Sequence, residues 1–224
     1  MSSDRTFSRQ NRPVLAIFDF DGTLTTKDSL PLFLRYSLGR SRFLLHLPSF
    51  AVLFLRFKLG ALSAKVAKER MLRIAVKGMS STELDKLCWG FASDILPHIE
   101  RPCAIEALRM HQRSGHSVCI LSASPINWIR PWAKMKGIDQ VLGSDLAFDN
   151  DGATGELNGA NCNGKEKLAC LHRHYPNYTT ELYTYAYGNS GGDYELLLSV
   201  DHPYLLKRGK FIDLSADSFP IRSN

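Results

Sequence analysis

The feature that most constrains this chain is the run Val14-Leu15-Ala16-Ile17-Phe18 leading straight into Asp19-Phe20-Asp21-Gly22-Thr23. Apolar, β-forming residues that stop at two carboxylates and a glycine read as a buried strand opening into a polar loop. The pattern returns twice. Ser117-Val118-Cys119-Ile120-Leu121 follows a helix-like stretch at 103–113 and a Ser114-Gly115 stop, and it ends in Ser122-Ala123-Ser124-Pro125. Leu182-Tyr183-Thr184-Tyr185-Ala186-Tyr187 ends in Gly188-Asn189-Ser190-Gly191-Gly192-Asp193, with a short helix expected over 194–200. Strands separated by helices imply a parallel sheet covered by helices, and such sheets bind ligands outside the carboxyl ends of their strands. All three polar loops should therefore gather at one edge.

The expected fold class is α/β, a Rossmann-like three-layer parallel-sheet core with an inserted all-helical cap. The stretch between the first and second strands is far longer than one crossover needs, so residues 1–29 and 100–224 are assigned to the core and 30–99 to the cap. Asp149-Asn150-Asp151-Gly152 reads as the turn of a hairpin with strands at 144–148 and 153–157. With 224 residues and 44% hydrophobic content the chain can bury a core, which argues against disorder.

Five cysteines, Cys88, Cys103, Cys119, Cys162 and Cys170, are odd in number and form no CxxC pair, so neither a disulfide framework nor a zinc site is indicated. The polar leader MSSDRTFSRQNRP has no apolar stretch of secretory type, and a cytoplasmic protein is expected. Its formal charge of +6 mildly favours anionic partners. No zinc finger, stacking motif or dense basic run supports nucleic acid among them.

Asp19 and Asp21 stand two residues apart at a strand end, where alternation points both side chains the same way. One carboxylate can attack phosphorus while its protonated neighbour protonates the leaving oxygen and later activates water. A surface turn capped by aspartates is the bland alternative, and the apolar strand directly before the pair weighs against it. Asp19-Phe20-Asp21-Gly22-Thr23-Leu24-Thr25 after a hydrophobic strand resembles the first motif of the haloacid dehalogenase-like hydrolases. Ser122 closing the second strand, Lys167 within Asn161-Cys162-Asn163-Gly164-Lys165-Glu166-Lys167, and the 188–193 loop follow in that family's order. The cap position, with Ser122-Ala123-Ser124-Pro125 and Asn161-Cys162-Asn163-Gly164, resembles the phosphoserine-phosphatase-like branch, subfamily IB.

That resemblance implies a Mg²⁺-dependent phosphatase working through an aspartyl-phosphate, with Asp19 as nucleophile, Asp21 as general acid/base, Ser122 binding phosphoryl oxygens and Lys167 neutralising charge. Lys165 competes with Lys167 for that role, and family spacing favours Lys167. Thr23, Ala123 and Asp28 are implied substrate contacts, although Asp28 reads equally well as a helix N-cap. Asp19, Asp21, Asn189 and Asp193 are the implied metal set. Asn189 departs from the aspartate the family usually carries, which puts the strength of metal binding in question. Asn127, Trp128 and Arg130 fall on a helix expected over the site, as site or packing residues.

The cap contains Phe43-Leu44-Leu45-His46-Leu47-Pro48-Ser49-Phe50-Ala51-Val52-Leu53-Phe54-Leu55, flanked by Arg35, Arg40, Arg42, Arg56 and Lys58. It is too short and interrupted to span a bilayer. A soluble phosphomonoester is the expected substrate. The alternative is a phosphorylated lipid, phosphatidylglycerophosphate-like, with the cap resting on the inner face of the membrane. A phosphotransferase and a non-catalytic phosphate-binding module are the remaining readings.

Overall fold

The computed structural model describes residues 12–215. Most of the polar leader, at 1–11, lies outside the described residues. In chain order the elements are β1 (Val14–Phe18), α1 (Ser29–Lys58), α2 (Ala64–Val76), α3 (Ser81–Asp94), α4 (Pro102–Arg113), β2 (Ser117–Pro125), α5 (Ile126–Met135) and β3 (Gln140–Ser144). There follow β4 (Leu146–Asp149), β5 (Gly152–Leu157), α6 (Lys165–His174), α7 (Tyr178–Glu181), β6 (Tyr183–Gly188), α8 (Tyr194–Leu198), β7 (His202–Lys207) and β8 (Lys210–Asp213).

Six strands form one sheet in the order β3-β2-β1-β6-β7-β8, parallel except for β8. The uninterrupted apolar runs reflect burial on both faces. Along β1, Ala16 and Phe18 join the core on one side while Leu15 and Ile17 join the core on the other; Val118 and Ile120 of β2 divide from Cys119 and Leu121 in the same way. Helices α4 and α5 cover the first face, α6 and α8 the second, completing three layers. Phe18 lies in register with Ile120 on one side and Tyr187 on the other, so the loops after β1, β2 and β6 open at the same edge.

Three helices and a short 3-10 turn (Leu96–Ile99) fill the stretch between β1 and α4. Ser80 and Glu83 form a capping box at the start of α3, and the Ser63 hydroxyl caps α2. Helix α1 is broken at Gly39, whose φ of +71° and ψ of 165° leave the helical region. All five cysteines are free.

The β4–β5 hairpin falls within one residue or two of its expected place, yet it packs against α2, away from the main sheet. Backbone bonds Gly78 N to Ala153 O and Ala153 N to Met79 O, 2.8 Å each, join it to the α2–α3 connection. A Cβ on Gly155 would lie 2.4 Å from the Arg73 Cα. The helical insertion is thus completed by a hairpin supplied from later in the chain. Strand β3 and the β7–β8 hairpin are additions that the sequence reading did not contain.

Candidate active site

The loop after β1 is a wide turn closed by Thr25 N donating to Phe20 O at 3.0 Å. Gly22 turns it with φ +78°, and a Cβ there would lie 2.1 Å from Asn189 Nδ2. Arg101 fixes the turn from beneath, donating to the carbonyls of Thr23, Gly22 and Thr25 over 3.2, 3.0 and 3.3 Å. Asp19 thereby leaves β1 on a rigid backbone, 6% exposed at the floor of a cavity of about 510 Å³.

Lys167 Nζ donates to Asp19 Oδ1 at 2.6 Å and to Asp193 Oδ1. The Thr23 hydroxyl donates to Asp19 Oδ2 at 2.9 Å. Burial pushes the Asp19 carboxyl up to about 7; Lys167 pulls it down, and Asp193 and Asp21 push it further up. Burial also works against the Lys167 ammonium, but Asp19 and Asp193 outweigh it and hold the group above the usual lysine range. The 188–193 loop wraps Asp193, whose Oδ2 accepts from Asn189 N and Ser190 N at 3.1 Å each and from Ser190 Oγ at 3.0 Å.

Asp21 Oδ1 accepts the Ser29 amide at 2.6 Å, and its Oδ2 accepts the Ser124 hydroxyl. Burial raises the Asp21 pKa against these hydrogen bonds. One carboxyl therefore joins the loop after β1, the end of β2 and the first residue of α1. Ser122 is buried on the cavity wall, its hydroxyl accepting Ser124 N at 3.1 Å. A Cβ on the neighbouring Gly143, φ +151°, would meet Ser122 O at 2.1 Å, so only glycine fits there.

The residues picked from sequence separate clearly. Asp19, Asp21, Asp28, Ser122, Ala123, Lys167 and Asp193 all line the cavity. Thr23 is buried with its hydroxyl turned to Asp19, and is not part of the lining. Asp28 occupies the N-cap position of α1 without a side-chain capping bond and faces the cavity. Lys165 is exposed where α6 begins, whereas Lys167 is 1% exposed. Asn189 sits against Gly22. Trp128 is a packing residue, stacked on Phe33 at 4.2 Å with its indole N–H on the Ser29 hydroxyl. Asn127 accepts Leu146 N at 3.1 Å, and the half-exposed Arg130 pairs with Asp145 at 3.4 Å.

Lys68 was not among the sequence picks. It reaches from α2 into the cavity and donates to Ala123 O and, at 2.6 Å, to Asn161 Oδ1. Burial draws its pKa down to about 8, opposed by Asp21. A basic residue on an amphipathic helix reads as a solvated charge in sequence; only the docking of α2 over the β2 loop turns it inward. Arg101, at the exit of the helical insertion, was missed for a similar reason, and Ser124 because its bond to Asp21 joins two separate strand ends.

The haloacid dehalogenase-like hydrolase profile matches residues 16–198, from β1 through α8. The chain belongs to the haloacid dehalogenase-like hydrolases. Within this family it is similar to Protein CicA of Caulobacter vibrioides, 34% identical over 210 residues that cover 89% of each chain. A crystal structure of a protein of unknown function from Bordetella pertussis Tohama I superposes with a TM-score of 0.76 at 23% identity, covering 86% of this chain and 89% of that one. A phospho-aspartyl intermediate analogue of phosphoserine phosphatase superposes with a TM-score of 0.55 at 16% identity, covering 84% of each. These likenesses place the hydrolase in a phosphoserine-phosphatase-like fold, with α1–α3 occupying the stretch after the first motif.

Proposed function

We propose that this hydrolase is a magnesium-dependent phosphatase that passes the phosphoryl group of a phosphomonoester first to Asp19 and then to water. The observation that carries the reading is the buried Asp19 carboxylate, held at a cavity floor between the Lys167 ammonium and the Thr23 hydroxyl. In the first step an Asp19 oxygen bonds to phosphorus as the ester P–O bond breaks, and protonated Asp21 gives its proton to the leaving oxygen. In the second, Asp21 takes a proton from water as that water's oxygen attacks phosphorus, which frees phosphate and restores Asp19. The raised pKa of Asp21 suits an acid that starts protonated. Lys167, Ser122 and Lys68 compensate the charge spread over the phosphoryl oxygens. The neighbour solved as a phospho-aspartyl analogue supports the same chemistry.

Mg²⁺ takes oxygen ligands, usually one or two carboxylates completed by water and substrate. The floor fits it in charge, since Asp19, Asp21 and Asp193 outnumber Lys167, and Asp193 and Asp21 add to burial in raising the Asp19 carboxyl. No group of three or more His, Cys, Asp or Glu is poised as a ligand set among the described residues. The reading that fits both facts uses the Asp19 carboxylate, the Asp21 backbone carbonyl and the Asn189 amide oxygen. Asp193, whose Oδ2 takes three hydrogen bonds from its own 188–193 loop while Oδ1 takes Lys167, is read as the residue that positions that loop and Lys167. The bound cation supplies charge compensation to the phosphoryl oxygens.

Hydrolysis of p-nitrophenyl phosphate across a Mg²⁺ titration, beside Asp19→Asn, tests the proposal. Expected is turnover that needs both Mg²⁺ and Asp19, with beryllium fluoride trapping a complex on the wild type alone. Turnover by Asp19→Asn, or none by the wild type together with no trapping, would overturn it.

A further inference from the structure

Beyond the polar floor, the cavity is walled by hydrocarbon. Phe43, Leu47, Phe50, Phe54 and Phe57 line it, and their spacing of four, three, four and three sets them on one face of α1. The far end is open: Leu47 and Phe54 belong to the lining yet are 45% and 54% exposed. The apolar track therefore runs from the catalytic floor to the surface.

The surface it reaches is itself apolar. Leu45, Val52 and Leu55, with Leu59 just past the helix end, again at helical spacing, form an adjoining face of α1 and are 56–75% exposed. Of the fourteen large hydrophobic side chains exposed among the described residues, seven fall within 44–59. That concentration marks a contact surface, not the usual scatter of apolar residues. Charge is concentrated in the same place. Within 29–58 Arg35, Arg40, Arg42, Arg56 and Lys58 are exposed and no acidic residue accompanies them. A second copy docked on this face would bring two such basic surfaces together, whereas an anionic lipid surface complements both its charge and its grease. No helix among the described residues is long and apolar enough to cross a membrane, so contact of α1 with such a surface would be peripheral.

We propose that the substrate is an amphiphilic phosphomonoester whose apolar chain lies along the Phe43–Phe57 face of α1, taken up while the outer face of that helix rests on an anionic bilayer. The inference rests on the phosphatase reading for the chemistry at Asp19. The floor, with Lys68, holds the phosphate, Asp28 meets the polar atoms next to it, and the open apolar end lets the chain enter from the lipid.

Two measurements test it on the full chain. Alkyl phosphates from ethyl to octyl, below their aggregation limits, should show KM falling with chain length by at least about tenfold. Vesicles of phosphatidylglycerol and phosphatidylcholine should sediment the protein, and pure phosphatidylcholine should not. Leu45→Glu with Leu55→Glu, both outside the cavity lining, should abolish sedimentation while p-nitrophenyl phosphate is still hydrolysed. A KM independent of chain length, or no preference for anionic vesicles, overturns the proposal with p-nitrophenyl phosphatase activity intact. Loss of the phosphatase reading shows up separately, as absence of p-nitrophenyl phosphate turnover.

Discussion

Lys167 Nζ donates to Asp19 Oδ1 over 2.6 Å with both side chains buried, and its other contact is Asp193 Oδ1. One ammonium thus balances two carboxylates that face each other across it. Lys167→Ala should lower kcat/KM by about 10²–10³, the cost of deleting one preorganised electrostatic contact. It should also destabilise the fold, by about 3–5 kcal/mol, because two buried carboxylates lose their partner. Adding Asp193→Asn should recover part of that stability but none of the activity. Thermal melts and initial rates on the three variants decide this; a Lys167→Ala enzyme with normal rates removes Lys167 from the site.

Asn189 and Gly22 predict the metal response. With Asn189 packed against the Gly22 backbone, Asn189→Asp places a charged oxygen where an amide stands. The Mg²⁺ concentration for half-maximal activity should fall, with little change in rate at saturation. Gly22→Ala should be severely impaired, since its Cβ meets Asn189 in a backbone conformation that costs a non-glycine residue about 1–2 kcal/mol. An unchanged Mg²⁺ requirement in Asn189→Asp would remove residue 189 from the ligand set.

Much of this was legible in the sequence because burial on both faces leaves an unbroken apolar run. That is why β1, β2 and β6 stood out, each with its polar loop. Strand β3 and the β7–β8 hairpin lie towards the sheet edges, where partial burial breaks the run: every residue of β7 from His202 to Leu206 is only half-buried. Among the site residues, those next to a strand end were found with the exception of Ser124, as were Asp28 and Lys167 through family spacing. Lys68 and Arg101 come from the cap and its exit, so their place depends on long-range docking that no local pattern encodes. The separation of Lys167 from Lys165 likewise comes from the helical phase of α6 against Asp19, which turns one lysine in and the other out.

Lys68 gives the enzyme a dependence on alkaline pH. Burial lowers its pKa to about 8, so the ammonium that faces the cavity is lost as pH rises through that value. KM for p-nitrophenyl phosphate should rise above about pH 8 in the wild type. Lys68→Arg should flatten that rise, because arginine keeps its charge. Lys68→Ala should show a KM already raised about tenfold at neutral pH, as expected from losing a charge-assisted hydrogen bond of about 1.5 kcal/mol. A wild-type KM that stays level from pH 7 to 9.5 would contradict the assignment.

His111, outside the cavity lining, contributes to the acid side of stability. It is fully buried, with its Nε2 2.9 Å from the Tyr187 hydroxyl and its Nδ1 2.8 Å from His116 Nδ1. Burial, then the neighbouring His116, draws its pKa from 6.5 down to about 4. Between those values the unfolded chain binds a proton that the folded chain does not, so stability rises with pH across the window and is lost as pH falls from about 6.5 to 4. After allowance for solvent screening the loss is on the order of 1–3 kcal/mol. Chemical denaturation at pH 7, 5.5 and 4.5 should show the wild type losing stability relative to His111→Gln, which cannot titrate, while the raised Asp19 and Asp21 carboxyls act in the opposite sense on both proteins and cancel in that difference. Parallel pH profiles for the two proteins would assign the acid sensitivity to other groups.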